Sequence, residues 1–369
     1  MKPSFNITWA EAAALDEIPS PALLVGLEPI EYNLGRMLAI AGGPQRLRPH
    51  VKTHKLPWLV QRQLALGIER FKCATIAEAE MCAGAGAPDV LIGYPLVGPN
   101  IGRLLVLQKT FPGTRFSSVA DDVAALCALS AAAVLRRKRI EVLLDLDVGQ
   151  HRTGVIPGPE AVEVYRTLVG FPGLIPGGLH AYDGHLQRTD PVACAEAFAP
   201  VFALRDELVR LRFPVPRIVA GGTPTFPLHA ARQDVECSPG TAALWDASSA
   251  TAMPDMDFQP AAVLLTRIVS RPGEDCLCLD LGHKAVASEM PHPRVLFPML
   301  PEAEAVTHSE EHLVVRTPRA SQFAVGDFLL GVPWHVCPTL ALYAEALVIS
   351  QGRVTGTWPI DARARKLTI

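Results

Sequence analysis

The stretch IEVLLDLDVGQHRTG, residues 140–154, is a run of apolar residues that ends in a cluster of polar side chains. A continuous apolar run of this length is typical of a strand buried on both faces of a parallel sheet. In such folds the reactive groups lie at the carboxyl ends of the strands, because the following loops converge there. The stretch therefore predicts a parallel strand that delivers the polar segment 147–154 to a functional edge of the sheet.

Strand patterns alternate with helical patterns on both sides of this stretch. The helical patterns are clearest near 29–41, 75–86 and 190–212. Eight strand patterns separated by helices over roughly 200 residues predict a (β/α)8 barrel of the TIM type. The predicted barrel strands are 46–53, 70–76, 89–95, 114–120, 140–149, 177–184, 217–223 and 234–244.

The pattern changes near residue 247. Segments such as AVLLTRIVS, LVVRTP and ALVISQGRVTGTWPI are typical of strands joined by turns. They predict a second, mostly antiparallel β domain. The predicted boundaries are 20–246 for the barrel domain, and 1–19 with 247–369 for the β domain. The opening strand near 21–27 is a candidate to join the β domain.

The composition limits the classes of partner. The chain has 369 residues, a formal net charge of −3, 49% hydrophobic residues and 19% charged residues. A near-neutral chain offers no basic field for nucleic acid, so a small-molecule partner is expected. The apolar runs are too short for a membrane span, and no signal-peptide pattern opens the chain. We therefore expect a soluble, cytoplasmic protein without a membrane partner.

Polar residues follow several of the predicted barrel strands. Lys52 follows the first, HAYDGH (180–185) the sixth, GGTPT (221–225) the seventh and SPGT (238–241) the eighth. Glycine-rich turns expose backbone amides that suit a phosphate group. A lysine, a tyrosine and two such turns at one barrel edge predict pyridoxal 5'-phosphate (PLP), held as a Schiff base.

The motifs RPHVKTHK, DVGQHRTGV, AYDGH, GGTPT, PGT and HVCPT occur here in one order, from residue 20 to nearly the end. This set resembles the fold-type III PLP enzymes, whose barrel is like that of alanine racemase, and among them the D-threonine aldolase and D-serine dehydratase family. The resemblance implies that Lys52 binds PLP covalently, whereas Lys55 is a helix-entry or surface lysine. It also implies that Arg152 lies near the cofactor's phenolic oxygen and that Tyr182 faces the cofactor. The phosphate-binding residues implied are Gly221, Gly222, Thr223, Gly240 and Thr241. Ser238 replaces the arginine of alanine racemases, which disfavours a plain racemase.

The segment PWHVCPT places His335 and Cys337 two residues apart in a predicted strand. Alternate residues of a strand share one face, so imidazole and thiolate could bind one divalent ion. The resemblance implies a metal at this pair, beside the cofactor. A cysteine there favours zinc, and manganese or magnesium are the alternatives.

The resemblance implies a PLP- and metal-dependent lyase that acts on small molecules, the D-3-hydroxy amino acids. It also implies a homodimer. In the aldolase reaction, which gives glycine and an aldehyde, His185 is the candidate acceptor of the β-hydroxyl proton, although Arg188 lies nearer the family's histidine position. The alternative is a D-serine dehydratase, in which Lys52 takes the α-proton. The products are then ammonia and a 2-oxo acid. Two further readings are a non-catalytic PLP-carrying protein and a metal-dependent hydrolase without PLP. Lys284 and His312 are weaker candidates for substrate and metal contacts.

Overall fold

The computed structural model describes residues 3, 5, 7–10 and 15–369. The chain forms two compact units. The parallel-sheet unit comprises residues 38–52, 57–240 and 365–369. The antiparallel-sheet unit comprises residues 53–56, 241–364 and those up to 37.

The secondary structure of the described residues alternates strands and helices up to residue 237 and is mainly β-structure after residue 261. The strands are β1 Ala22–Gly26, β2 Arg70–Cys73, β3 Asp89–Pro95, β4 Arg115–Ala120, β5 Ile140–Leu146, β6 Leu174–Ala181, β7 Ile218–Ala220, β8 Val235–Cys237, β9 Ala262–Gly273, β10 Cys276–Leu279, β11 Val295–Leu296, β12 Glu304–His308, β13 Leu313–Arg316, β14 Phe328–Pro333, β15 Glu345–Ser350 and β16 Arg353–Pro359. The α-helices are α1 Leu27–Ala41, α2 Pro57–Ala65, α3 Ile76–Gly84, α4 Pro99–Thr110, α5 Val123–Leu135, α6 Pro159–Gly170, α7 Pro191–Arg210, α8 Phe226–Ala230, α9 Ala247–Ala252 and α10 Val336–Leu340.

Seven parallel strands, β2 to β8 in sequential order, form the sheet of the parallel-sheet unit. Every residue of β5 is buried, as the apolar run at 140–146 predicts. Side chains from four strands meet in one core cluster, formed by Leu91, Val119, Leu143 and Val219. Burial on both faces explains why these strands are continuous apolar runs instead of alternating patterns.

The first predicted barrel strand, residues 46–53, does not form a ladder. Leu47 makes an isolated parallel bridge to Cys237 of β8, and His50 makes one to Lys72 of β2. Pro49 interrupts the segment because proline lacks the N–H that a ladder requires. The sheet therefore has seven ladder strands, and a short extended segment lies between its two edge strands.

A buried ion network lies at the amino-terminal side of this sheet. Arg48 is fully buried and contacts Asp89 at 2.6 Å and Glu236 at 2.7 Å. Arg217 contacts Glu141 at 2.5 Å. A buried arginine needs such carboxylate partners, because an unpaired buried charge costs several kcal/mol.

The antiparallel-sheet unit contains a nine-stranded sheet. Its central part runs in the order β12-β13-β10-β9-β1-β15-β16, and β14 also pairs with β9. β1 pairs antiparallel with β9 and parallel with β15, so the opening strand lies inside this sheet. Among the described residues, none of the helices has both the length and the apolar composition needed to cross a bilayer.

Candidate active site

Three cations surround the ring of Tyr182, the residue that follows β6. The Nζ of Lys52 lies 5.3 Å from the ring centroid, the Nζ of Lys72 lies 5.5 Å away and the Cζ of Arg152 lies 5.2 Å away. Lys52 lies in the short 3-10 helix Val51–Thr53, and Arg152 lies in the loop after β5. The structure thus brings together three residues that the sequence singled out, and it adds Lys72.

Two glycines leave room for the Tyr182 ring. A Cβ atom at Gly222 would lie 3.1 Å from Cε2 of the ring, and one at Gly184 would overlap its other edge. Gly222 belongs to the predicted phosphate turn, so this turn and the tyrosine ring are in direct contact. Side chains at these glycines would displace the ring that the three cations face.

A buried histidine and aspartate lie at the ends of the central strands. The Nδ1 of His180 and the Oδ1 of Asp145 are 2.6 Å apart, and Thr153 donates a hydrogen bond of 2.9 Å to the other carboxylate oxygen. Burial lowers the pKa of His180 more than Asp145 raises it, and Lys72 and Arg152 lower it further. His180 is therefore neutral at pH 7. Its Nε2 is buried without a hydrogen-bond partner among the described residues.

A second buried pair supports the loop after β6. The Oδ2 of Asp183 lies 3.0 Å from the Nε2 of His229, and the Sγ of Cys194 lies 3.8 Å from the same nitrogen. The three ligand-type atoms lie within 4.8 Å of one another. Burial raises the pKa of the Cys194 thiol to about 11, so it remains protonated at neutral pH. We interpret the cluster as a hydrogen-bonded support that joins the loop after β6 to α8.

The two predicted phosphate turns are linked to each other. Gly221 has a φ of +75°, a conformation that favours glycine. The N–H of Gly240 donates a hydrogen bond of 3.0 Å to the Oγ1 of Thr223. Thr241, the last predicted phosphate ligand, begins the 3-10 helix Thr241–Ala243 in the antiparallel-sheet unit.

The candidate base His185 is exposed in the loop after β6. A Cβ atom at Gly149 would lie 3.1 Å from its Nε2, so the ring packs over the loop after β5. Arg188 is also exposed.

The predicted metal pair lies at the start of a helix, so the strand predicted for the segment PWHVCPT is wrong beyond Pro333. β14 ends at Pro333, His335 is the N-cap residue of α10 and Cys337 lies in its first turn. The reason is Asp246, whose carboxylate accepts the N–H of Val336 at 3.0 Å and thereby caps the helix.

His335 and Cys337 remain close although they do not share a strand face. The Nδ1 of His335 lies 2.6 Å from Glu289, and the Sγ of Cys337 lies 3.3 Å from the Oγ1 of Thr53. Burial lowers the pKa of His335, but Cys337, Glu289 and Asp246 together outweigh burial and raise it to about 9.

The two weaker candidates have other surroundings. The Nζ of Lys284 pairs with Glu310 at 2.9 Å and with Glu311 at 3.0 Å on the surface. His312 is exposed. The lysine therefore already has two carboxylate partners within its own unit.

Comparisons with known proteins fit this geometry. The sequence model of the alanine racemase N-terminal domain matches residues 25–246, and that of a serine dehydratase domain matches residues 261–349. D-threonine aldolase of Arthrobacter sp is 31% identical over 359 residues, which are 95% of this chain and 94% of that protein. The chain belongs to the D-threonine aldolase and D-serine dehydratase family of fold-type III PLP enzymes.

Solved structures show the same fold. D-threonine aldolase from Filomicrobium marinum matches with a TM-score of 0.88 and 28% identity, over 96% of this chain and 98% of that one. D-threo-3-hydroxyaspartate dehydratase from Delftia sp. HT23 matches with a TM-score of 0.83 and 24% identity, over 94% and 98% of the two chains. A variant of that dehydratase is known in a metal-free form, at a TM-score of 0.82 and 23% identity. The two dehydratase likenesses concern the fold alone.

The residues around Tyr182 fit the cofactor of this family. Among the described residues, neither Lys52 nor Arg152 forms an ion pair with a carboxylate, so both could pair with a bound negative charge. The phenolate of PLP would supply such a charge. Gly222 packs directly against the Tyr182 ring, and the buried Nε2 of His180 has no hydrogen-bond partner among the described residues. The chemistry of these residues therefore fits the cofactor that this family uses.

The pair in the antiparallel-sheet unit fits a divalent metal of the zinc class. Imidazole and thiolate are its preferred protein ligands. Glu289 contacts the Nδ1 of the His335 ring. A metal-bound histidine commonly pairs its other ring nitrogen with a carboxylate in this way.

Sequence reasoning missed Lys72 and the His180–Asp145 pair. The signal for Lys72 was available, because a lysine stands within the apolar strand RFKC, one residue before its carboxyl end. The signal for His180 was weaker, since a single histidine in a strand is more often structural. Its importance depends on Asp145, which lies 35 residues away in the chain.

Proposed function

We propose that this protein is a PLP-dependent lyase that cleaves D-3-hydroxy amino acids between Cα and Cβ, giving glycine and an aldehyde. The observation that carries the proposal is the cluster of Lys52 and Arg152 around Tyr182, beside the glycine turn at 221–223. The likeness to D-threonine aldolases over nearly the whole chain supports the same reaction class.

In this proposal the chain's own residues hold and orient the reactants. Lys52 would carry PLP covalently, and Arg152 would pair with its phenolic oxygen. The phosphate ligands would be Gly221, Gly222, Thr223, Gly240 and Thr241. When bound, PLP stabilises the electron pair left at Cα by the bond that breaks. Tyr182 would limit the space on one side of the reacting carbon and exclude water from it.

We further propose that His335 and Cys337 bind a divalent metal, with zinc favoured over manganese or magnesium because of the thiolate. Such an ion supplies a Lewis acid for the substrate's hydroxyl oxygen. Glu289 would hold the His335 ring in the orientation that the metal requires. The known metal-free form of a structurally similar dehydratase supports a metal in this fold.

Dehydration is the second candidate, and Cys337 favours it, since the resemblance places cysteine at this position in D-serine dehydratases. In that route Lys52 would take the α-proton, and hydroxide would leave from Cβ. His185 would not be needed, which suits its exposed place in the loop after β6. The product would be a 2-oxo acid with ammonia.

The covalent link is tested by borohydride reduction followed by peptide mapping. We expect the reduced cofactor on Lys52 in the wild-type protein and no adduct in Lys52→Ala. The matched control Lys55→Ala should keep the adduct, because Lys55 is not the proposed linking residue. Labelling of another side chain, or of none, would contradict the proposed function.

Product analysis separates the two reactions. With D-threonine, an aldolase gives glycine and acetaldehyde in equal amounts. With D-serine, a dehydratase gives pyruvate and ammonia. If neither reaction occurs while the adduct on Lys52 is present, the non-catalytic carrier is favoured instead.

Two properties of the whole protein are also proposals. We propose a homodimer, by analogy with fold-type III enzymes, and a cytoplasmic location. We also infer that residues 47–50 act as the eighth strand of a closed barrel, because they bridge β8 and β2. Light scattering with sedimentation measures the oligomeric state, and a monomer at micromolar concentration would contradict the dimer.

A further inference from the structure

Lys72 places a second amine beside the residue proposed to carry the cofactor. It is 2% exposed, and its Nζ lies 5.5 Å from the centroid of the Tyr182 ring that Lys52 also faces at 5.3 Å. The stem of Lys72 passes over Gly93 in β3, where a Cβ atom would come within 3.0 Å of its Cδ. The two neighbouring strands therefore leave a path for a buried lysine.

The amine of Lys72 lacks a counter-ion of its own. In the described part of the chain, no hydrogen bond or ion pair involves its Nζ. The carboxylates that act on it, Asp183 and Asp145, lie 3.0 Å from His229 and 2.6 Å from His180. The other charged groups that act on it, Lys52 and Arg48, are cationic. His180 also faces it, since the charge on Lys72 helps to keep that ring neutral.

These surroundings determine the protonation state of the amine. Burial, and then the charge of Lys52, lower the pKa of Lys72 to about 7, against the opposing effect of Asp183 and Asp145. At neutral pH the amine is therefore present in both neutral and protonated forms. A group that can both accept and donate a proton near the working pH is suited to general acid–base catalysis.

Building on the proposed function, we propose that Lys72 is a catalytic residue of the same site, whose neutral amine accepts the β-hydroxyl proton of the substrate and returns it to Cα. The O–H bond breaks as an N–H bond forms on Nζ. The oxygen electron pair becomes the C=O bond of the aldehyde, and the Cα–Cβ electron pair stays at Cα. The ammonium of Lys72 then gives its proton to Cα. Glycine and the aldehyde leave, and the amine is neutral again.

Lys72 suits this role better than His185. His185 is exposed in the loop after β6 and packs over Gly149, whereas Lys72 is buried beside Lys52. A substrate bound through its amino group in place of Lys52 has its Cα one bond from the position of that amine. A proton carrier near Lys52 and away from bulk water is therefore the better placed of the two.

The test compares the holoenzyme with Lys72→Met, which removes the amine, and Lys72→Arg, which keeps a permanent positive charge. Lys109→Met, an exposed lysine of α4, is the control for the substitution itself. We expect both Lys72 variants to keep the borohydride adduct on Lys52 and a KM within a few-fold of wild type. Their kcat for aldol cleavage should fall about 100-fold or more, the range typical of a lost acid–base group.

The pH dependence supplies a second readout. Wild-type kcat/KM should fall below a pH near 7, as the amine becomes protonated, and both variants should lose this limb. The absorbance of the bound cofactor should titrate in the same range in wild type and not in Lys72→Met. His185→Gln should keep the limb and the titration.

Other results overturn the inference in distinguishable ways. If Lys72→Met keeps its activity, or if wild type shows no limb near pH 7, the proposed proton transfer does not occur. If Lys72→Met and Lys72→Arg lose the cofactor, Lys72 is an anchor for PLP. If His185→Gln removes the limb, the acceptor is His185. If wild type carries no adduct on Lys52, the proposed function itself fails, and this inference fails with it.

Discussion

The ring of Tyr182 cannot by itself hold three cations together. Each cation gains about 0.5–2 kcal/mol from the face of an aromatic ring. Two like charges a few ångströms apart repel each other by about 3 kcal/mol in the dielectric typical of partly buried sites. Lys52, Lys72 and Arg152 therefore need an anion or the loss of a proton. PLP would supply the anion, and the lowered pKa of Lys72 corresponds to the loss of a proton.

Replacing Cys337 should remove the metal and leave the cofactor in place. Cys337→Ala takes away the thiolate, and a single imidazole holds zinc weakly. Zinc content, measured by elemental analysis, should fall from about one ion per chain to near zero, while the adduct on Lys52 persists. Cys337→Asp should keep a metal site but shift its preference towards manganese. Cys127→Ala, at an exposed cysteine, is the control and should keep full zinc content. Unchanged zinc in Cys337→Ala would show that the ion lies elsewhere.

Asp246 connects two helices of the antiparallel-sheet unit. One carboxylate oxygen accepts the N–H of Ser249 at 2.8 Å and caps α9, while the other accepts the N–H of Val336 at 3.0 Å and caps α10. It therefore fixes the turn that carries His335 and Cys337.

Asp246→Ala should destabilise the protein by about 1–3 kcal/mol, because two buried N–H groups lose their acceptor. The same change should weaken zinc binding, since the first turn of α10 is no longer held. Denaturant unfolding and zinc titration measure the two effects. Asp122→Ala removes the exposed cap of α5 and should cost about 1 kcal/mol without changing zinc affinity. Equal zinc affinity in both variants would show that the cap at Asp246 does not affect metal binding by His335 and Cys337.

The turn at Gly221 should not accept a side chain. Its φ is +75°, and a Cβ atom would overlap the ring of His229. Gly221→Ala should therefore destabilise the protein by about 1–3 kcal/mol and weaken PLP binding. Gly102→Ala, in α4 with open space around it, should be neutral or stabilise by up to about 1 kcal/mol. Thermal unfolding and PLP titration of the two variants measure the contrast. Equal PLP affinity would show that this turn does not hold the phosphate.

At the scale of the whole molecule, some elements can be predicted from the local sequence, and others depend on residues that are distant in the chain. The strands and helices of the parallel-sheet unit follow from apolar runs and helical periodicity, so β5 and α7 lie close to their predicted bounds. The pattern of the segment PWHVCPT, which carries His335 and Cys337, is compatible with a strand and predicts one. Asp246, 90 residues earlier, converts it into a helix start.

Lys72 illustrates the same limit at the site itself. Its type and strand position are visible in the sequence, but its burial depends on Gly93 and its pKa on Lys52 and Asp183. Roles that depend only on residue type and motif can therefore be predicted from the sequence, as the motifs around Lys52 and Tyr182 show. The burial and the pKa of a single side chain depend on several residues that are distant in the sequence, so they can be read only from the structure.

The free energy of unfolding of the cofactor-free protein should depend on pH because of Lys72. Its pKa is about 7 in the folded chain against an ordinary value of 10.5. Between these values the unfolded chain binds more protons than the folded one, so the free energy of unfolding rises with pH, by up to about 1.4 kcal/mol per pH unit. Below pH 7 the penalty for burying the amine is fully present, and above pH 10.5 it is absent.

Urea unfolding of the cofactor-free protein from pH 6 to pH 10 measures this effect. Lys72→Met removes the titrating group, so its stability should exceed that of wild type at pH 6, and the difference should shrink as the pH rises. Lys109→Met should follow the wild-type curve throughout, because its side chain is exposed in both states. A constant difference between wild type and Lys72→Met across this range would mean that Lys72 keeps its ordinary pKa. The amine would then be protonated at neutral pH and unable to accept the substrate's proton.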